Sequence, residues 1–87
     1  MKYRSRTDIV YQIVQIAGRK YNGAKKTEII YGAFLSSKQF RDYITLLIDH
    51  GLLQYRPEIR TFNVTEKGRR FLELYDSIGI ILQEQQV

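Results

Sequence analysis

Few residues in this 87-residue chain could do covalent or acid–base chemistry. His50 is the sole histidine and there is no cysteine, so an imidazole–thiolate metal site and a Cys–His nucleophile both lack their parts. Asp42 and Asp49 stand seven residues apart, about 10 Å along a helix. With Lys38, Arg41 and Thr45 around them they do not form a tuned carboxylate pair. No glycine-rich phosphate loop or nucleophile elbow occurs. The sequence therefore predicts no enzyme, no metal and no cofactor. What it does offer is cationic chemistry: lysines and arginines suited to phosphates and to the acceptor edges of bases.

The placement of charge sharpens that reading. All 14 Lys and Arg fall within residues 1–70, against six acids, whereas 71–87 holds three acids and no base. A cationic body with an acidic end points to a polyanionic partner for the body and another task for the end. The seven tyrosines are scattered and do not gather on one sheet face, so stacking on single strands is not their expected use. Apolar residues make up 44% of the chain, enough for one compact core, and residues 1–87 are expected to form a single domain. No segment has the length and apolarity of a membrane span or a signal peptide. The expected setting is the cytoplasm, in association with the nucleoid, with no membrane partner.

The elements that would position those cations follow from periodicity and capping. Ser5 and Asp8 form a capping box for a helix over 6–18, with Ile9, Ile13, Ile16 and Ala17 inward and Gly18 as its stop. A basic loop with Asn22-Gly23 at its centre leads to a short helix at about 25–33. After the link Phe34-Leu35-Ser36, a second capping box, Ser36 with Gln39, opens a helix over 37–49. Phe40, Tyr43, Ile44, Leu47 and Ile48 step along one face of it, and His50-Gly51 closes it. Strands at 52–56 and 60–64 flank the tight connection Pro57-Glu58-Ile59 and form a hairpin. Thr65 then caps a last helix from Glu66 to about Gln85.

The expected fold class is thus α+β, mainly α: a three-helix helix-turn-helix core, a β-hairpin wing and a C-terminal helix. In such a unit the second helix of the pair, 37–49, can lay its polar side in the major groove of double-stranded DNA. By subtraction that side carries Ser37, Lys38, Arg41, Asp42, Thr45 and Asp49. Arg41 suits a bidentate contact to guanine, and Lys38 reaches guanine or phosphate. Gln39 could read adenine if it turns away from its capping role. Ser36 and Ser37 open the helix where free N–H groups meet a phosphate. Arg56 and Arg60 on the wing, 54–63, and Lys25 and Lys26 at the start of the bracing helix would grip the backbone.

Lys26-Thr27-Glu28-Ile29-Ile30-Tyr31-x-Ala33-x-Leu35-Ser36, then Gln39, Tyr43, Leu47 and Gly51-Leu52-Leu53, and finally Phe62-x-Val64-Thr65-Glu66-Lys67-Gly68-x-x-Phe71-Leu72 resemble the small archaeal winged helix-turn-helix family. Its members are described as predicted transcriptional regulators or dimeric DNA-binding proteins. The resemblance runs from roughly residue 9 to 78 and implies a winged-helix fold, DNA binding and dimerisation through the last helix. The sequence agrees on the last point. Phe71, Tyr75, Ile78 and Leu82 step 4, 3, 4, and Leu74, Ile78, Ile81 and Leu82 form a second apolar strip. One strip would cover the core and the other would meet a second copy, making 66–86 a dimerisation helix. Two other functions fit the same residues: a low-specificity architectural protein, and a protein–protein module whose basic face meets an acidic partner.

Overall fold

The computed structural model describes residues 4–84, and their side chains as far as Ile78. The order is α1 (Arg6–Gly18), α2 (Lys26–Gly32), α3 (Ser37–Asp49), β1 (Leu53–Arg56), β2 (Thr61–Val64) and α4 (Glu66–Glu84). Each expected element is present, with α2 and both strands slightly shorter than their periodicity suggested. The strands pair antiparallel, Leu53 opposite Val64 and Arg56 opposite Thr61. Just before α2, Ala24 exchanges both backbone hydrogen bonds with Phe62, at 3.0 and 2.8 Å. The loop ahead of α2 is thereby stitched to the outer edge of the hairpin.

The core is one cluster drawn from every element through β2. Ile13 and Val14 of α1, Ile29 of α2, Leu47 of α3 and Leu53 of β1 are its most enclosed side chains. Phe40 meets Phe62 edge-on at 5.6 Å, tying α3 to the hairpin. From α4, Phe71 and Leu72 pack against this cluster as partly buried members. On burial alone, each enclosed Ile, Leu or Phe contributes roughly 1.5–3 kcal/mol.

Short polar side chains set the helix boundaries. Ser5 accepts from the Asp8 N–H at 3.0 Å while Asp8 accepts from the Ser5 N–H at 3.1 Å. Ser36 and Gln39 do the same at 3.1 and 2.9 Å. Both capping boxes read from the sequence are therefore formed. Thr65 works in two directions: its hydroxyl accepts from the Gly68 N–H at 3.0 Å and donates to the Gly51 carbonyl at 2.5 Å. That joins the start of α4 to the end of α3. A Cβ on Gly68 would lie 2.4 Å from the Leu52 carbonyl oxygen, so the Thr-Glu-Lys-Gly run needs glycine at its fourth position to let α4 approach the backbone.

α4 is fastened to α1 by two reciprocal bonds. Tyr11 of α1 donates to Asp76 of α4 at 2.9 Å, and Tyr75 of α4 donates to Asp8 of α1. The two tyrosine rings stack between them, centroids 4.1 Å apart and planes 17° apart. The Tyr75 hydroxyl, helped by the Ser5 N–H and hydroxyl, holds the Asp8 carboxyl below the usual carboxylate range. Conversely, the carboxylates of Asp76 and Asp8 push the phenols of Tyr11 and Tyr75 above their ordinary value.

A depressed carboxyl stabilises the fold above its unfolded pKa, about 4, and that support is lost as pH falls through its lower folded value. A raised phenol stabilises below its unfolded pKa, about 10, and that support is lost as pH rises through its higher folded value. Urea unfolding followed against pH should therefore show a plateau with losses at both ends. Tyr11→Phe should reduce the alkaline loss to the part that Tyr75 carries and leave the acid limb in place; an unchanged alkaline limb would refute this account of the clasp.

Candidate nucleic-acid interface

α3 is held by one side. Phe40, Ile44 and Leu47 are buried, while Ser37, Lys38, Gln39, Arg41, Asp42, Thr45, Ile48 and Asp49 are exposed. Along one ridge, Ser37, Arg41, Thr45 and Ile48 step 4, 4, 3 and so line up. The bracing helix α2 and the hairpin both pack on α3, and their cations stand beside it.

The polar side chains of that surface differ in how far they are engaged. Lys38 pairs with Asp42 at 2.9 Å, with both side chains mostly in solvent; such a pair contributes about 1 kcal/mol or less and yields readily to a phosphate. The Thr45 hydroxyl donates to the Arg41 carbonyl at 2.9 Å. The carbonyl oxygen of Gln39 accepts the Ser36 N–H. Bidentate reading of adenine needs that oxygen and the amide nitrogen together, so the capping box competes directly with the adenine-reading role expected of Gln39. Ser36 likewise uses its hydroxyl as the cap. Arg41 makes no ion pair and no side-chain hydrogen bond among the described residues, which leaves its guanidinium available.

On the hairpin, Tyr55 and Phe62 are cross-strand partners with ring centroids 4.8 Å apart. Together with Ile48 of α3 they floor a cleft of about 450 Å³ whose rim carries Lys26 and Arg60. Lys26 also sits 5.8 Å above the Phe40 ring. Arg60 takes a left-handed φ of 55° at the end of the four-residue connection 57–60, after a turn closed by Ile59 N–H to Arg56 carbonyl at 3.3 Å. The structure thus gathers Lys26 and Arg60 on one cleft. Arg56 departs from them: strand alternation puts it on the other face from Tyr55, where it pairs with Glu58 at 3.3 Å. Lys25 caps α2 and is exposed, and its N–H donates to Glu28 at 3.0 Å. Lys20, with that Lys25 N–H, holds the Glu28 carboxyl below its usual range.

The expected dimer strip divides. Phe71 and Tyr75 turn inward, the first against the core and the second onto Tyr11, so within the chain they are only half-exposed. Leu74 and Ile78 point outward, 64% and 57% exposed. Ile81 and Leu82 lie outside the residues whose side chains are described.

Three features escaped the reading of the sequence. Ile48 lies on an apolar period yet is 38% exposed, because the core ends at Ile44 and Leu47. Tyr55 joins the cleft through its pairing with Phe62, a relation that the hairpin register could have supplied. The third is the α2–α3 turn. Leu35 N–H bonds Ile30 carbonyl at 2.9 Å and Phe34 N–H bonds Tyr31 carbonyl at 3.4 Å, a Schellman closure with Phe34 at φ 55°. The end of α3 repeats the motif with Gly51 at φ 75°. Arg4 clips the first turn, its guanidinium donating to the Ala33 and Phe34 carbonyls and to Gln12.

Residues 3–82 match a family described as winged helix-turn-helix. Over 79 residues, 90% of this chain and 77% of the relative, the chain is also 33% identical to an uncharacterized protein of Methanocaldococcus jannaschii.

A left-handed conformation costs a bulky L-residue about 1–2 kcal/mol, and Phe34, 80% exposed, recovers little of it by burial. Glycine removes that strain but adds unfolded-chain entropy. Phe34→Gly should therefore raise unfolding stability by about 0.5–1 kcal/mol, read as a higher urea midpoint at unchanged slope. A lower midpoint would mean that the exposed ring supports the fold.

Proposed function

Because the chain belongs to the winged helix-turn-helix family, we propose that it binds double-stranded DNA as a homodimeric transcriptional regulator and catalyses no reaction. The carrying observation is the one-sided burial of α3, which leaves Ser37, Lys38, Arg41 and Thr45 in solvent. A major groove about 12 Å wide accepts such a helix. Arg41 reads guanine, and Lys25, Lys26, Lys38 and Arg60 hold phosphates on either side. Arg56 reaches the backbone from the outer face of the wing after leaving Glu58. Ser36 and Ser37 bring the start of the helix close to the duplex. Gln39 serves chiefly to hold α3 in place. A second copy covers Leu74 and Ile78, and the pair presents two α3 helices to one duplex. The cell's nucleoid is then where the protein works.

A low-specificity architectural role is the alternative. It is favoured by the in-chain hydrogen bonds of Gln39 and Thr45, which leave Arg41 as the main polar reader. Selection from a random DNA pool followed by competition binding separates the two. A regulator gives a large ratio of specific to non-specific affinity, and an architectural protein a ratio near one.

Arg41→Ala should cost about 1–3 kcal/mol at one base position and leave other positions alone. Lys26→Ala or Arg60→Ala should weaken all duplexes alike and reduce the salt slope by roughly 0.9 per lost phosphate contact. Equal losses from Arg41→Ala on every sequence would remove it as a base reader. Light scattering should report a dimer, converted to monomer by Leu74→Glu with Ile78→Glu; a monomeric wild type would end the dimer proposal.

A further inference from the structure

The ridge of α3 that faces solvent beside the hairpin changes character along its length. Ser37 and Arg41 are polar. Thr45 follows, but its one hydroxyl proton is donated to the Arg41 carbonyl at 2.9 Å, so it has no hydrogen bond to give a base. What it retains for contact is its γ-methyl group, beside an oxygen that can only accept. Ile48, 38% exposed, ends the ridge and forms part of the cleft floor with Tyr55 and Phe62. An exposed isoleucine beside a 42% exposed tyrosine is an apolar surface in a cleft that two cations, Lys26 and Arg60, also line.

A duplex has phosphates to suit those cations. Between them it has little that is apolar: the deoxyribose rings of its backbone and, in the major groove, the 5-methyl group of thymine. Ile48 shares its ridge with Arg41 and Thr45, so the groove that receives the guanidinium also receives the isoleucine. Resting on the duplex-binding reading above, we propose that the C-terminal half of α3 selects thymine by its 5-methyl group. Thr45 and Ile48 are its specificity-determining residues, and Tyr55 backs them from the hairpin. The protein thereby reads a guanine and a thymine along one ridge, the first by hydrogen bonding and the second by contact with a methyl group.

The test uses the full chain and a duplex taken from random-pool selection, with each thymine replaced in turn by deoxyuridine, which lacks only the methyl group. One or more fixed positions should lose affinity by roughly three- to tenfold, the effect expected of one buried methyl. In Ile48→Ala the same replacement should change affinity less than twofold, while the base preference that depends on Arg41 persists. Ile48→Val, a milder truncation, should give an intermediate sensitivity and guards against loss of the fold in the alanine variant. Silent replacements throughout a bound duplex overturn the proposal. So does an undiminished penalty in Ile48→Ala, or an Ile48→Ala loss that is equal on all duplexes, the mark of a sugar contact. Failure to bind any duplex is a different result and brings down the DNA-binding reading as well.

Discussion

Everything outward about α3 depends on the grip that Phe40, Ile44 and Leu47 keep on the core. They bury against Ile13, Ile29, Leu53 and Phe62, and at roughly 1.5–3 kcal/mol each on burial they are the main hold on this helix. The ends are secured separately. Ser36 and Gln39 close the first turn. The left-handed Gly51, with Lys67 donating to the His50 carbonyl at 2.8 Å, closes the last. Short polar groups thus satisfy the helix backbone, and the long side chain of Arg41 is left with no folding duty among the described residues.

The two ends of the helix-turn-helix pair use the same backbone motif with opposite economy. Glycine takes the left-handed position after α3 without strain, whereas phenylalanine takes it after α2. The turn that sets α3 against α2 is therefore held from outside. Arg4 reaches back to the Ala33 and Phe34 carbonyls, placing a cation at the negative end of α2. A residue just ahead of α1 thereby helps to fix the angle of a helix more than thirty positions further on.

Much of this was legible from residue types. Ser5 with Asp8, Ser36 with Gln39, and Thr65 before an apolar run each mark a helix start by a hydrogen bond between near neighbours, and all three are made. The hairpin followed from β-branched and aromatic runs around Pro57. What escaped was tertiary. Periodicity gives an apolar face but not where the core stops along it, so Ile48 read as buried. The step 71, 75, 78, 82 read as one seam, but Tyr75 finds Tyr11 and Asp8 in its own chain, a pairing across 67 residues that no local pattern encodes. Phe34 gave no signal at all, because nothing in its type favours the left-handed conformation.

The bridge between Ala24 and Phe62 has a mechanical consequence. Both of its bonds are backbone bonds, so it fixes the main chain just before Lys25 and Lys26 without drawing on their side chains, provided Gly23 stays glycine, since a Cβ there would lie 2.5 Å from the Phe62 carbonyl oxygen. The loop upstream leaves Tyr21 96% exposed yet has ties of its own: Gly23 N–H donates to the Lys20 carbonyl at 3.0 Å and the Asn63 amide donates to the Tyr21 carbonyl at 3.5 Å. Residues added or removed between Arg19 and Asn22 would disturb those ties, and the Lys20–Glu28 pair at 2.7 Å with them, before they reached the bridge. The spacing of Lys26 from Arg60 would stay as it is, because the span between them is yoked across the hairpin.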